Sequence, residues 1–185
     1  MLDEVMEAFF NNSPKGLDSA RKKEGIIDLL QREIITFLVR TSQGSLSPED
    51  SKEINSIIHM ADNIERIGDH AENLSNLVER KSRLKLPFTD IATNDIKEIY
   101  TVSREFLELV INGIQKKNRR IKPEADTYEE RVNHLEDTMR EGHIQRLNDG
   151  ICEVDSGLVF IDILTNFEKI GDHTFNIAEA VVGIK

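Results

Sequence analysis

The chain has 185 residues, 38% hydrophobic and 31% charged, with no Trp, ten Gly, four Pro and a net charge of −10. Such an acidic chain lacks the basic footprint of a nucleic-acid binder, and its surface repels free phosphate unless a cation intervenes. The single cysteine, Cys152, excludes an intrachain disulfide, and the longest apolar runs are about four residues where a membrane span needs about 20.

The amino-terminal M-L-D-E-V-M-E is acidic and has no signal-peptide pattern, so the chain reads as soluble and cytoplasmic. From there apolar residues recur at helical spacing almost throughout. Breaks at 11–16, 41–48, 81–87, 118–123 and 148–151 predict six helices, at about 2–11, 15–42, 48–82, 88–118, 123–147 and 150–183. Ser47-Pro48-Glu49-Asp50 has the features of a helix start: a serine cap, proline at the first position and acids in the first turn. Leu86-Pro87-Phe88 marks a midpoint turn.

The two halves repeat each other. Residues 63–74 read N-I-E-R-I-G-D-H-A-E-N-L and residues 166–177 read N-F-E-K-I-G-D-H-T-F-N-I, identical at seven of twelve positions and offset by 103. At an offset of 105, Val132 falls on Ile27, Leu135 on Leu30 and Met139 on Ile34. Leu107, Glu108, Val110 and Ile114 fall on Leu2, Asp3, Val5 and Phe9. The expected architecture is all-α, two tandem three-helix bundles, residues 1–84 and 85–185. Two copies are too few for a solenoid. The first helix of unit two begins near Phe88 or Ile91, while its counterpart begins at Met1 and lacks about four turns. That helix therefore reads as truncated, as in a chain cut from a longer protein.

On the third helix of unit one, Ile57, Ala61, Ile64, Gly68 and Ala71 line up as an apolar stripe. Asp62, Glu65, Asp69 and Glu72 form a second stripe about a third of a turn away. Glu65 and Asp69, four residues apart, are neighbours of like charge. Unit two repeats the pair as Glu168 and Asp172, with Thr165 in place of Asp62. On the second helices Glu24 and Asp28 correspond to Glu129 and Asn133. Antiparallel packing would set each pair opposite the acids of its unit's third helix. Clustered oxygens from two helices suit a hard or borderline metal ion, whereas acids on a helix otherwise form a solvated face. Gly68 and Gly171 read as packing positions, where a missing side chain lets a neighbouring helix approach.

His70 and His173 point away from the acids and stay outside the metal shell. His59, His134 and His143 show no partner pattern, and Cys152 reads as a small buried apolar residue. No HExxH, Glu-x-x-His, phosphate loop or G-x-S-x-G is present, so nothing asks for an enzyme.

The doubled E-[RK]-I-G-D-H and the two three-helix units resemble the PhoU family over essentially the whole chain. The resemblance implies regulation of phosphate uptake and signalling, by interaction and not by catalysis. It also implies multinuclear iron or zinc clusters on the ExxxD motifs. Carried over by position, the metal-binding residues are Glu65, Asp69, Glu168 and Asp172, with Glu24, Asp28, Glu129 and Asp62 beside them. Asn133 and Thr165 depart from the pattern and weaken the second cluster. The short first helix and the segment L-S-P-E-D-S-K-E-I-N-S-I-I-H-M-A-D-N-I-E-R-I-G-D-H resemble the PhoU-like cytoplasmic tail of bacterial sodium/phosphate cotransporters. Such a tail would sit at the cytoplasmic face of the membrane as part of a membrane protein. The alternative is a stand-alone adaptor between a phosphate transporter and a sensor kinase, and a third reading is a metal-dependent helical enzyme. The partners implied are the membrane domain of a phosphate transporter, in the same chain or separate, a sensor kinase and a second copy in a homodimer.

Overall fold

A computed structural model describes residues 1–44 and 46–183, and among these it holds six helices and no strand. They are α1 (Leu2–Phe10), α2 (Leu17–Thr41), α3 (Pro48–Leu84), α4 (Asp90–Gln115), α5 (Lys122–Asn148) and α6 (Val154–Val182). The start of α3 is built as its sequence predicts. The Ser47 hydroxyl accepts from the Asp50 amide at 3.1 Å, the Asp50 carboxylate accepts from the Ser47 amide, and Pro48 occupies the first turn. The largest departure is at α6, which begins at Val154 instead of 150. Gly150 adopts the left-handed region at φ 69°, and the Ile151 amide closes back on the Arg146 carbonyl at 2.9 Å. That turn ends α5 and leaves 151–153 outside either helix.

Within each unit the long helices run antiparallel. Ile27 of α2 meets Gly68 of α3, and Gln31 meets Asp62 lower on the same helix. In unit two, Val132 of α5 meets Gly171 of α6 and Arg140 meets Thr165. The repeat register thus survives in space, since Ile27 matches Val132 and Gly68 matches Gly171. The two units also join. The main core mixes Val5, Phe9, Leu17, Leu74 and Val78 with Ile96, Phe160, Leu164 and Phe167, so apolar packing does not divide at residue 84. A smaller cluster of Phe106, Val110, Ile121, Ala125, Ile177 and Ala178 is built from unit two, with Met60 and Ile67 of α3 packed against it.

The first helix is short, 9 residues against 26 in α4. The amino-terminal half of α4 buries Ala92, Ile96 and Ile99 against unit two, where Met139 is buried. Residue Ile34 of α2, the counterpart of Met139, is 38% exposed, and Leu30 and Phe37 on the same helix are exposed with it. The apolar stripe of α2 therefore remains on the surface over its second half.

Candidate functional site

Each copy of the repeated motif divides its residues among three directions. On an α-helix of about 100° per residue, Gly68 faces one way, Glu65 and Asp69 another, and Asn63 and His70 a third. Gly68 and Gly171 are buried against the second helix of their own unit. A Cβ at Gly68 would lie 3.5 Å from Ile27, ordinary contact, and one at Gly171 would lie 3.1 Å from Val132. The packing role expected of these glycines is tight in unit two and relaxed in unit one.

The third direction joins the units. His70 Nδ1 lies 2.9 Å from Asn166 Oδ1, and His173 Nδ1 lies 2.9 Å from Asn63 Oδ1. The Asn63 amide nitrogen donates to the His59 carbonyl at 2.7 Å, and that of Asn166 donates to the Asp162 carbonyl at 2.8 Å. With each amide held by its own helix, Oδ1 is the atom left to face the imidazole, so each histidine donates from Nδ1. The two rings stack at 5.6 Å between centroids. Burial, and then its neighbour His70, hold the His173 imidazole below its ordinary pKa. The histidines and asparagines of the motif are thus a reciprocal clasp between α3 and α6. Sequence reading passed over it, although an asparagine opens both copies of the motif and a histidine stands seven residues on.

The acids of unit one lie within electrostatic reach of one another across the α2–α3 interface. Burial raises the pKa of Glu24, and Asp28, Glu72, Asp69 and Glu65 each push it further up. Burial also raises that of Glu65, with Asp69, Asp28 and Asp62 acting in the same direction against Arg66. Among the described residues, basic partners stand at the margins, Arg66 at 3.9 Å from Glu65 and Arg32 at 3.8 Å from Asp28. Asp62 accepts from Gln31 at 2.9 Å.

Unit two satisfies its acids from within. Lys169 Nζ sits 3.1 Å from Glu168 and 3.0 Å from Asp172, and its own pKa is raised by those two contacts. Glu129 accepts from the Asn133 amide at 2.7 Å on its own helix. Burial still raises the pKa of Glu168, and the facing acid that adds to it is Glu136. Glu136 is the repeat counterpart of Gln31, just as Thr165 is that of Asp62, so the acid has changed sides of the interface. In unit one Gln31 donates to Asp62. In unit two Arg140 binds Glu136, with Nε at 2.7 Å, and donates to Thr165 at 3.0 Å.

In charge, the first face suits a cation, because several carboxylates oppose one another with little basic compensation. In donor geometry neither face is ready-made: among the described residues no three His, Cys, Asp or Glu side chains are gathered as they stand around one position. On the second face Lys169 already bonds both Glu168 and Asp172. No helix among the described residues is long and apolar enough to cross a membrane.

The comparisons with known proteins agree with this architecture. The PhoU domain family matches residues 1–78 and 96–181. A phosphate-specific transport system accessory protein PhoU homolog from Clostridium acetobutylicum is 23% identical over 184 residues, covering 97% of this chain and 81% of that one. The crystal structure of PhoU from Pseudomonas aeruginosa has the same fold, with a TM-score of 0.90 at 19% identity over 98% of this chain and 86% of that one. So has the phosphate transport system regulatory protein PhoU from Streptococcus pneumoniae, with a TM-score of 0.84 at 17% identity over 98% and 84%. Spanning both repeats and most of the described helices, these matches show that the chain belongs to the PhoU family.

Proposed function

We propose that the chain is an accessory, regulatory protein of a phosphate transport system that works by interaction and not by catalysis. The observation that carries this is the family match across both units. It is supported by the Clostridium relative, a phosphate transport accessory protein of which this chain spans 81%. That share leaves little length in the relative for a membrane domain. The balance therefore moves from a cotransporter tail to the free adaptor, cytoplasmic and placed between a transporter and a sensor kinase. Measuring phosphate uptake in cells with the gene deleted tests the reading. Uptake that no longer responds to external phosphate supports it, and unchanged uptake and response overturn it.

We further propose that the acidic face of unit one takes a cation held by Glu24, Asp28, Glu65 and Asp69, with Asp62 at its margin. Such an ion would neutralise carboxylates that now oppose one another and would offer an open coordination position to phosphate or to a partner's acid. Glu168, Asp172 and Glu129 would bind more weakly, because Lys169 and Asn133 already occupy their oxygens. Titration of chelator-treated protein with Zn²⁺ or Fe²⁺, followed by thermal unfolding, tests this. A rise in Tm that Glu65→Gln and Asp69→Asn abolish supports the assignment. An equal rise in those variants removes it.

A further inference from the structure

Unit two carries a polar cluster that unit one lacks. His143 stands where the repeat places Leu38 in unit one, and it is 2% exposed with its ring against Phe160. Gly157 makes room for it, since a Cβ there would lie 2.5 Å from Nε2. His143 Nδ1 faces Cys152 Sγ at 3.8 Å, and the thiol is half-buried in the turn just before α6. His143 Nε2, Ser156 Oγ and Arg146 Nε are buried without a hydrogen-bond partner. Together with Cys152 these residues line a cavity of about 10 Å³. That is room for a single oxygen-sized group. Burying a polar atom unpaired costs about 1–3 kcal/mol. Three side chains with such atoms thus line one small space beside a thiol.

We propose that Cys152 is a peroxide-reactive thiol, with His143 as its base and the cavity as the seat of the incoming oxygen. The thiol proton moves to His143 Nδ1. The sulfur attacks the near oxygen of a hydroperoxide, so the S–O bond forms as the O–O bond breaks. The departing hydroxide or alkoxide takes the proton from His143 and leaves as water or alcohol. Cysteine is oxidised to sulfenic acid, the peroxide is reduced, and the new oxygen is left in a cavity lined by polar atoms that lack partners. Burial, and then Arg146, keep the imidazole below its ordinary pKa, so it starts neutral, with Nδ1 turned to the thiol.

The test is the iodoacetamide alkylation rate of this single cysteine at pH 7, in the folded protein and in the same chain unfolded in urea. A base acting on the thiol makes the folded protein faster by about tenfold, within the roughly thirtyfold ceiling set by the few per cent of a free thiol that is ionised at pH 7. His143→Leu, which installs the residue of unit one, should return the rate to that of the unfolded chain with the helical circular dichroism intact. Hydrogen peroxide with dimedone should give one sulfenic adduct, on Cys152. A folded rate at or below the unfolded rate, a His143→Leu rate equal to wild type, or no dimedone adduct overturns the proposal. If His143→Leu fails to fold, the folded-against-unfolded comparison on the wild-type chain decides alone.

Discussion

The glycines of the repeated motif are the most direct test of the packing account, because the same substitution should act in opposite directions in the two units. Replacing glycine by alanine inside a helix is worth about 1 kcal/mol in favour of folding, from backbone entropy alone. At Gly68 the new methyl would meet Ile27 at 3.5 Å, so nothing has to move and most of that gain should be kept. At Gly171 the methyl would meet Val132 Cγ1 at 3.1 Å and Cβ at 3.5 Å. Val132 is fully buried, and a β-branched side chain in a helix has one strongly preferred rotamer, so it cannot swing aside. Overpacking a core costs about 1–3 kcal/mol, which equals or exceeds the helix gain. The expected result in urea unfolding, at constant m, is a higher Cm for Gly68→Ala and an unchanged or lower Cm for Gly171→Ala. Within the Val132→Ala background, where the obstructing methyls are gone, Gly171→Ala should raise Cm as Gly68→Ala does in the wild type. A Gly171→Ala protein more stable than Gly68→Ala would refute the argument.

Three other outcomes follow from the site. A double-mutant cycle on His70→Ala and Asn166→Ala should give a coupling of about 1 kcal/mol, with a similar value for His173 and Asn63; coupling near zero would show that the clasp is ornamental. Glu24 and Glu65 have raised pKa values in the fold, so the native state binds protons more tightly there than the unfolded chain does. By linkage their contribution to stability falls as pH rises above the ordinary glutamate value of about 4.3. Glu24→Gln or Glu65→Gln should therefore be more stable than wild type at pH 7 without metal, by about 0.2–0.5 kcal/mol per like-charge pair relieved. That advantage should vanish near pH 4 in guanidinium-free thermal scans. Lys169→Met should open the second face, giving a Zn²⁺-dependent rise in Tm that survives Glu65→Gln; no rise would mean that Glu168 and Asp172 cannot converge even when freed.

The helices and the repeat were legible because both are written in local periodicity and in a few breakers. Proline at 48, glycine at 68 and 171, and apolar residues four apart act within one or two turns. Setting Ile27 against Gly68 then places Glu24 and Asp28 on the side facing Glu65 and Asp69, since all six positions ride on two rigid helices. The clasp was not legible, because His70 and Asn166 are 96 residues apart and meet only when α3 lies against α6. Nor was the role of Lys169. It occupies the same motif position as Arg66, yet its flexible stem reaches both neighbouring acids, while Arg66 comes no nearer than 3.9 Å to one. The same limit applies to Glu136. Its importance rests on a change of side across the α5–α6 interface, which no periodicity within one helix can display.

The repeated motif is therefore better understood as three contacts carried by about two helical turns than as a binding signature with a glycine inside it. Glycine sets how near the second helix comes, and asparagine and histidine fix the two third helices to each other. Only glutamate and aspartate remain for a ligand. Duplication preserved the first two contacts in both units, as the pairs Gly68–Ile27 with Gly171–Val132 and His70–Asn166 with His173–Asn63 show. The acidic contact has diverged. Unit one keeps opposed carboxylates that a cation would relieve, and unit two has installed Lys169 and Arg140 among its own. On the proposed cation assignment, the clasp holds the two units in fixed register while only unit one responds to an ion. A cation arriving at unit one would tighten α2 against α3, and α3 is the helix that carries His70 and Asn63. The structural route from an ion at the acidic face to the joint between the units is thus a single helix, and the His70–Asn166 coupling should strengthen when Zn²⁺ is bound. A coupling energy that is the same with and without the ion would break that link.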